Sequence, residues 1–522
     1  MSAAGYTPEE PIAAIATALA PAALGIVRCS GKGVVELLAP LFSRPKALLE
    51  AAGNTMVYGW LVAPDASRWL VAPDASRWLV EPTAGRWLVE PASCDGLAGV
   101  DACSQSDNGG AGRRIDQVLV AVFRSPRSFT GEDMVEINCH GGPGMVTEIF
   151  RLLTSHGFRA ALPGEFTFRS FINGKADLTR AEAVQEIVSA KTEVGRGRAA
   201  GRLAGGLYQE LDAIKHLLRE TMAAIEAEIE YPEDEEAIAD AFDSSQLEVA
   251  RRRLESLCAS WSSEKLYQDG ARVVLCGRTN AGKSSLFNTL LKEDRSIVSD
   301  IHGTTRDWIE GWVSLDGIPA RLFDTAGLRE SQDEVEHHGI QRTQDLTAEA
   351  DLIFYVVDAA VGLVEEDRQF LADHGLLDSK SGAMVSNRPP LILVLNKCDN
   401  LSQDSMEQPD FGNLPVDAVV RLSAKTGAGT AQLVEAARRL LSQNTTQLAG
   451  GQVGLGSERQ RRCAQAALEA VVHGLEVAQS DYTLDTVMQD LEEALEALGE
   501  ITGEVTSEDI LDTVFSRFCL GK

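Results

Sequence analysis

The sequence predicts an α/β plus α architecture: an N-terminal α/β domain, a helical domain, and a second α/β domain inserted into the helical one. Three observations carry this reading. An apolar strand at 273–275 runs directly into the glycine loop GRTNAGKS at 277–284, and a helix is expected from Lys283. Helical spacing of apolar residues fills about 173–268 and resumes beyond the Gly-rich stretch 450–456. Before residue 172, short strands alternate with helices. The expected domains are therefore 1–172, 173–268, 269–447 and 448–522, the third inserted between two parts of the helical domain.

In the first region the strands include Gly25–Cys29 and Gln117–Phe123, with helices near 33–42 and 144–156. Residues 60–95 form a tandem nine-residue repeat, WLVAPDASR twice, then WLVEPTAGR and WLVEPASCD. Four such units are too short to bury a core of their own, so an expanded surface hairpin loop is expected. Exposed tryptophans in it leave a partner-binding role open. In the helical region, Asp177 or Thr179 can cap a helix with Ala181, Val184, Ile187 and Val188 on one face. A second helix, Leu207–Ile229, stops at Tyr231-Pro232, and a third covers roughly 246–267. The Gly-rich stretch 450–456 reads as a linker.

The inserted region carries four ordered signals: GRTNAGKS, DTAG at 324–327, NKCD at 396–399 and SAK at 423–425. Gly277 and Gly282 let the loop turn so that its N–H groups face phosphate, and the helix N-terminus adds positive potential. Asn280, Ala281, Gly282, Lys283, Ser284 and Ser285 make up that cradle, with Lys283 for the β- and γ-phosphates and the Ser284 hydroxyl for Mg²⁺. Asp324 closes a strand at Arg321–Phe323 and holds the metal from its outer shell, with Thr325, Ala326 and Gly327 beside it. Asp399, after the apolar strand Leu391–Leu395, accepts from N1–H and the 2-amino group of guanine, which adenine lacks. Asn396 and Lys397 brace that loop, and the backbone of Ser423, Ala424 and Lys425 faces the base. A lone phosphate loop says only that a nucleotide binds; the ordered set points to guanine nucleotide and a P-loop domain of the Ras-like kind.

After DTAG, many such domains place a water-orienting glutamine; here the position is Leu328. Water must be oriented from elsewhere, and Glu336 is the candidate. Asn280 either ligates a monovalent cation beside the phosphates or caps the loop.

A formal net charge of −29 argues against a protein that wraps nucleic acid by charge alone. Nine cysteines without a C-x-x-C pair suit a reducing cytoplasm better than a disulfide framework or a zinc site. The start MSAAGYTPEEPIAAIATALA lacks a basic signal segment, and no apolar run approaches membrane-spanning length, so no membrane association is expected.

Two N-terminal patches, SFTGEDMVEINCHGG (128–142) and PGEFTFRSFINGKADLTRAEAV (163–184), and the terminal FCLGK (518–522) complete the pattern. With GTTRD at 303–307, DTAGLRE at 324–330 and the domain order, the chain resembles the MnmE (TrmE) family of tRNA-modification GTPases outside residues 69–112. The resemblance implies an enzyme that, in a heterotetramer with an FAD-dependent MnmG (GidA)-type partner, installs a (carboxymethyl)aminomethyl-type group at carbon 5 of the wobble uridine of certain tRNAs. It implies a homodimer made through an N-terminal domain that binds 5-formyl- or methylene-tetrahydrofolate, and GTPase domains that pair in the presence of K⁺. By motif, Asn280, Ser299, Ile301 and Thr304 become K⁺ ligands, Thr305 joins Ser284 on Mg²⁺, and Glu336 is the catalytic glutamate. Arg28, Glu136, Lys175 and Lys522 match the folate positions, each of which taken alone also reads as a surface salt bridge. Cys519 is either a small buried hydrophobe or a nucleophile that adds to carbon 6 of uridine.

The chain departs from the family at residues 16–24, ATALAPAAL, where glycines are usual, and in the 60–95 repeat. Loss of glycine raises the question of whether that loop keeps its shape. Two other classes compete: a ribosome-assembly GTPase switch, for which no basic GxxG loop or basic extension is found, and a folate enzyme acting on a small molecule with the GTPase as regulator.

Overall fold

The computed structural model describes residues 10–64, 113–230, 244–293, 309–324, 346–377, 385, 388–401, 416–443, 453–478 and 484–521. Ser299, Ile301, Thr304, Thr305, Thr325, Ala326, Gly327, Leu328, Glu336, Lys522 and most of the repeat lie outside the described residues. The chain divides into two compact units, residues 1–175 with 507–522, and 176–506.

Unit 1 is built on six strands, β1 (Ile12–Ile15), β2 (Leu24–Ser30), β3 (Thr55–Ala63), β4 (Arg113–Phe123), β5 (Met134–His140) and β6 (Arg159–Ala160). Their order is β3-β4-β5-β2-β1-β6, antiparallel throughout except for β1 and β6. Val27 and Cys29 of β2, Val118, Val120 and Val122 of β4, and Val135 and Ile137 of β5 alternate inward, as a sheet with one covered face requires. Helices α1 (Val34–Leu38), α2 (Pro45–Leu49) and α3 (Pro143–Thr154) supply the covering apolar side chains, among them Leu38, Leu48, Ile149 and Leu153. Helix α4 (Glu165–Ile172) starts at Gly164, whose φ of 71° and close approach to the Phe515 carbonyl exclude a side chain.

The first copy of the repeat is partly strand: Leu61 is buried at the end of β3, and Ala63 pairs with Arg113. Residues 64–112 thus join two hydrogen-bonded antiparallel neighbours. Deleting 69–112 leaves one copy to close the hairpin and shortens the loop, which lowers its closure entropy by about 2 kcal/mol at most. That variant is expected to melt no lower than the parent and to bind GTP equally well, checked by thermal unfolding and nucleotide titration. Aggregation would show the repeat to be structural.

The glycine-free loop 16–24 has no residue at positive φ. It is held instead by hydrogen bonds, Ile26 N to Thr17 Oγ1 at 3.1 Å and Ala22 N to the Gly141 carbonyl at 3.1 Å. This loop therefore needs no glycine.

Unit 2 combines helices with a second sheet. Helices α5 (Leu178–Ser189), α6 (Glu193–Leu203), α7 (Gly206–Glu230) and α8 (Ser244–Asp269) precede the sheet. Asp177 caps α5 by accepting from Arg180 N. The buried side of α5 is Leu178, Thr179, Ala181 and Ala183; of the expected face, Ala181 is buried, Val184 and Ile187 are half-buried, and Val188 is 46% exposed. Periodicity fixes that an apolar arc exists; the neighbouring helices decide which arc is covered. Leu207, Leu211, Ile214, Leu218 and Ile225 of α7 pack with Leu247, Ala250, Leu254 and Leu257 of α8.

Strands β7 (Ala271–Cys276), β8 (Ile309–Leu315), β9 (Ile318–Asp324), β10 (Leu352–Asp358), β11 (Leu391–Asn396) and β12 (Ala418–Arg421) form a sheet in the order β12-β11-β10-β7-β9-β8, parallel but for β8. Both faces are covered, with Leu352, Phe354 and Val356 on one side and Ile353, Tyr355 and Val357 on the other. Helices α9 (Lys283–Glu293), α10 (Glu365–Asp373) and α11 (Thr430–Ser442) accompany it. Beyond the sheet come α12 (Glu458–Ala478), α13 (Leu484–Thr502) and, in unit 1, α14 (Glu508–Phe515). Residues 507–522 group with unit 1, where Phe515 and Phe518 pack beside Phe168 and Gly164.

The described part of the Gly-rich stretch is a packed seam rather than a loose linker. Leu455 is fully buried, the Gly454 carbonyl accepts from Arg202 at 3.2 Å, and that of Gly456 accepts from Gln268 at 2.6 Å. A Cβ at Gly456 would stand 2.2 Å from Glu186 Oε1, so glycine serves close approach there. Arg202 and Glu264, each with a side chain 1% exposed, are hydrogen-bonded to each other at 2.8 Å beside this seam, as a buried charge requires. No helix among the described residues is long and apolar enough to cross a membrane.

Candidate functional site

Parallel strands bring their carboxyl ends to one edge, and in unit 2 three of them end in polar residues: Asp324 on β9, Asp358 on β10 and Asn396 on β11. The loop leaving β7 crosses this edge. Gly277 has φ 133° and Gly282 φ 96°. A Cβ on Gly277 would stand 2.2 Å from the Val356 carbonyl, and one on Gly282 2.2 Å from Asn396 Nδ2. Only glycine admits this path, which carries the backbone into α9 as a phosphate cradle. Asn280 sits at φ 64°, a left-handed conformation that asparagine tolerates better than most residues, and it is exposed.

Lys283 is buried, and its Nζ donates to the carbonyls of Gly277 and Arg278, both at 2.8 Å. The Ser284 hydroxyl donates to Asp324 Oδ2 at 2.7 Å, so the two groups expected around a divalent metal are already adjacent. Ser285 is exposed and Ala281 buried.

Asn396, 1% exposed, ties three motifs together. Its Nδ2 donates to the Ala281 carbonyl at 2.9 Å, while its Oδ1 accepts from Ala424 N at 2.9 Å and Lys397 N at 2.8 Å. Lys397, at φ 63°, donates to Asp358 Oδ2 at 2.9 Å. Burial alone would raise the Asp358 carboxyl, but the Lys397 ammonium and the Ala360 N–H hold it below its ordinary range. Asp399 is exposed, and its Oδ1 accepts from the buried Ser423 hydroxyl at 2.7 Å. Lys425 is exposed next to it. Sequence reasoning passed over Asp358, although an apolar run ending in Asp, as at Asp324, marks it. Thr289, which donates to the Ala424 carbonyl at 2.7 Å, carries no such signal.

A second polar cluster lies in unit 1. The register of β2 against β5 sets Arg28 opposite Glu136. Arg28 Nε donates to Glu136 Oε1 at 2.8 Å, and Nη1 to the Gly521 carbonyl at 3.0 Å. Among the described residues no hydrogen bond reaches Glu136 Oε2, which leaves an acceptor that suits the N–H donors of a pterin. Lys175, exposed, donates instead to the Pro126 carbonyl at 3.0 Å, on the loop that follows β4. Cys519 is exposed. Burial pushes the Cys139, Cys258 and Cys463 thiols up to about 11, and that of Cys29 further still.

The family model for the MnmE helical domain matches residues 178–519, and that for the N-terminus of the GTP-binding protein TrmE matches 98–175. The tRNA modification GTPase MnmE of Treponema denticola is 44% identical over 521 residues, covering 99% of each chain. Its counterpart in Treponema pallidum is 39% identical over 555 aligned positions and 100% of both chains. That of Borrelia turicatae is 36% identical over 515 residues and 98% of both.

Proposed function

The chain belongs to the MnmE family of tRNA modification GTPases and hydrolyses GTP, and we propose that it does so to drive modification of the wobble uridine of certain tRNAs at carbon 5. The product is a (carboxymethyl)aminomethyl group, made with an MnmG-type FAD partner by a homodimer of this chain. The observation that carries the reading is the hydrogen-bonded edge at which Asn396 ties the phosphate loop to the Ser423–Ala424 loop while Ser284, at the end of that phosphate loop, bonds Asp324.

At that edge, the Gly277–Gly282 backbone N–H groups and Lys283 hold the phosphates, and Asp399 with the Ser423–Ala424 backbone reads guanine. Ser284 and Thr305 are the Mg²⁺ ligands, and Asn280, Ser299, Ile301 and Thr304 the K⁺ ligands. When bound, the two cations supply the positive charge that stabilises charge developing on the phosphates. Glu336 orients the attacking water, a role that the side chain of Leu328 cannot fill. Asn280→Ala is expected to abolish potassium stimulation, and Glu336→Ala to lower kcat by roughly 10²–10⁴ with GTP affinity retained. Both are read by phosphate release in KCl against NaCl; full stimulation in Asn280→Ala would remove that residue from the cation site.

In unit 1, Arg28 and Glu136, with Lys175 and Lys522, form the tetrahydrofolate site, the cations suiting its glutamate carboxylates and Glu136 the pterin. That cofactor supplies the one-carbon unit when bound. Cys519 is the residue proposed to act on uridine.

The test is nucleoside mass spectrometry of tRNA from bacteria lacking their own MnmE, expressing this chain with its native MnmG-type partner. Return of the modified uridine is expected. Its absence, with GTP hydrolysis intact, would leave a GTPase switch without modification chemistry, as in the ribosome-assembly reading.

A further inference from the structure

We propose that Arg28 is a positioning residue, a latch that fixes the C-terminal tail and thereby sets where Cys519 is presented. The inference rests on the reading of Cys519 given above, and it assigns Arg28 a task separate from holding folate.

The tail is anchored on both sides of the thiol. Upstream, Phe515 is fully buried, edge-on to Phe168 with ring centroids 5.4 Å apart, and Phe518 is 6% exposed with its ring 5.5 Å from that of Phe515. Downstream, Gly521 is buried at φ 85°, and a Cβ there would stand 2.8 Å from the Ile15 carbonyl. Between the anchors, Cys519 and Leu520 are exposed. The downstream anchor has one described side-chain hydrogen bond, from Arg28 Nη1 to the Gly521 carbonyl at 3.0 Å.

Arg28 is itself immobilised. Its Nε and Nη2 both lie 2.8 Å from Glu136 Oε1, and its guanidinium lies 5.8 Å from the centre of the Phe166 ring. The fork therefore turns one edge to Glu136 while Nη1 reaches the tail. A lysine keeps the positive charge but, as a single ammonium on a flexible stem, cannot span the two acceptors from one fixed plane. Charge recognition of a folate carboxylate and latching of the tail are thus separable by substitution.

The experiment uses the full chain and two variants, Arg28→Lys and Gly521→Ala. The second leaves Arg28 and Glu136 in place and disturbs only the tail's seat, through positive φ and the Ile15 contact. Trimming by carboxypeptidase, followed by intact mass, reports how often the tail opens. Trimming that proceeds through Gly521 toward Cys519 is expected to be about tenfold faster in both variants, in Arg28→Lys through loss of one charge-assisted hydrogen bond and in Gly521→Ala through strain at positive φ, with thermal unfolding confirming that both are folded. Binding of 5-formyltetrahydrofolate is measured in parallel. If Arg28→Lys trims at the parent rate and loses only folate affinity, Arg28 acts through the ligand alone and the latch is wrong. If both tails open while uridine modification proceeds at the parent rate, the latch stands and the reading of Cys519 fails.

Discussion

Replacing Asp399 with asparagine is expected to lower GTP affinity by roughly 10²–10⁴ and to let xanthine nucleotide bind in its place. In the proposed reading the carboxylate accepts two hydrogen bonds from guanine, and bonds to a charged group contribute about 1.5–3 kcal/mol each. Asparagine offers one acceptor and one donor, so it repels the guanine 2-amino group and matches the 2-oxo group of xanthine. The substitution is clean because the loop does not depend on Asp399 for its shape. Asn396 fixes it through Ala281, Ala424 and Lys397, and Lys397 is tied to Asp358. Ser423 donates to Asp399 Oδ1 and orients the carboxylate, and it can donate to the amide oxygen of asparagine in the same way. Titration with fluorescent guanine and xanthine nucleotides reads the swap. Unchanged preference for guanine would mean that the base is read elsewhere.

The nucleotide-binding edge was legible because its physics is local. Strands buried on both faces read as unbroken apolar runs, LIFYVV and LILVL, and each ends in a polar residue at the sheet's carboxyl edge. Gly277 and Gly282 are forced by positive φ and by close approach to the Val356 carbonyl and the Asn396 side chain, so the motif and its geometry are the same statement. Long helices such as α7 declared themselves by spacing and by the Tyr231-Pro232 stop. What stayed hidden was non-local. Arg28 meets Gly521 across 493 positions of sequence, and nothing periodic announces it. The same holds for the seam at Leu455 and Gly456, where glycine serves packing against Glu186 and Arg202 although its composition resembles a linker. Loop 16–24 raised the opposite difficulty: its missing glycines mattered in the abstract, but hydrogen bonds through Thr17 and Ala22 hold it without any positive φ.

The second large effect is expected from Cys519→Ser, which should abolish uridine modification, to below about 1% of the parent, while GTP hydrolysis continues. Addition of a thiolate to carbon 6 of uridine removes the 5,6 double bond and makes carbon 5 nucleophilic. Once carbon 5 has taken its new substituent and lost its proton, elimination of the thiolate restores the double bond. A serine hydroxyl has nearly the same size but almost no anion at neutral pH, so geometry is kept and nucleophilicity is lost. The position favours this reading over a packing role. A cysteine that serves as a small hydrophobe should be covered, as Cys29 and Cys139 are, whereas Cys519 is exposed between the buried Phe518 and Gly521. Two measurements on one preparation decide the matter: nucleoside mass spectrometry for the tRNA, and phosphate release for the GTPase. If serine supports modification at the parent level, the thiol is not the nucleophile. If both activities fall together, Cys519 acts through the fold rather than through uridine.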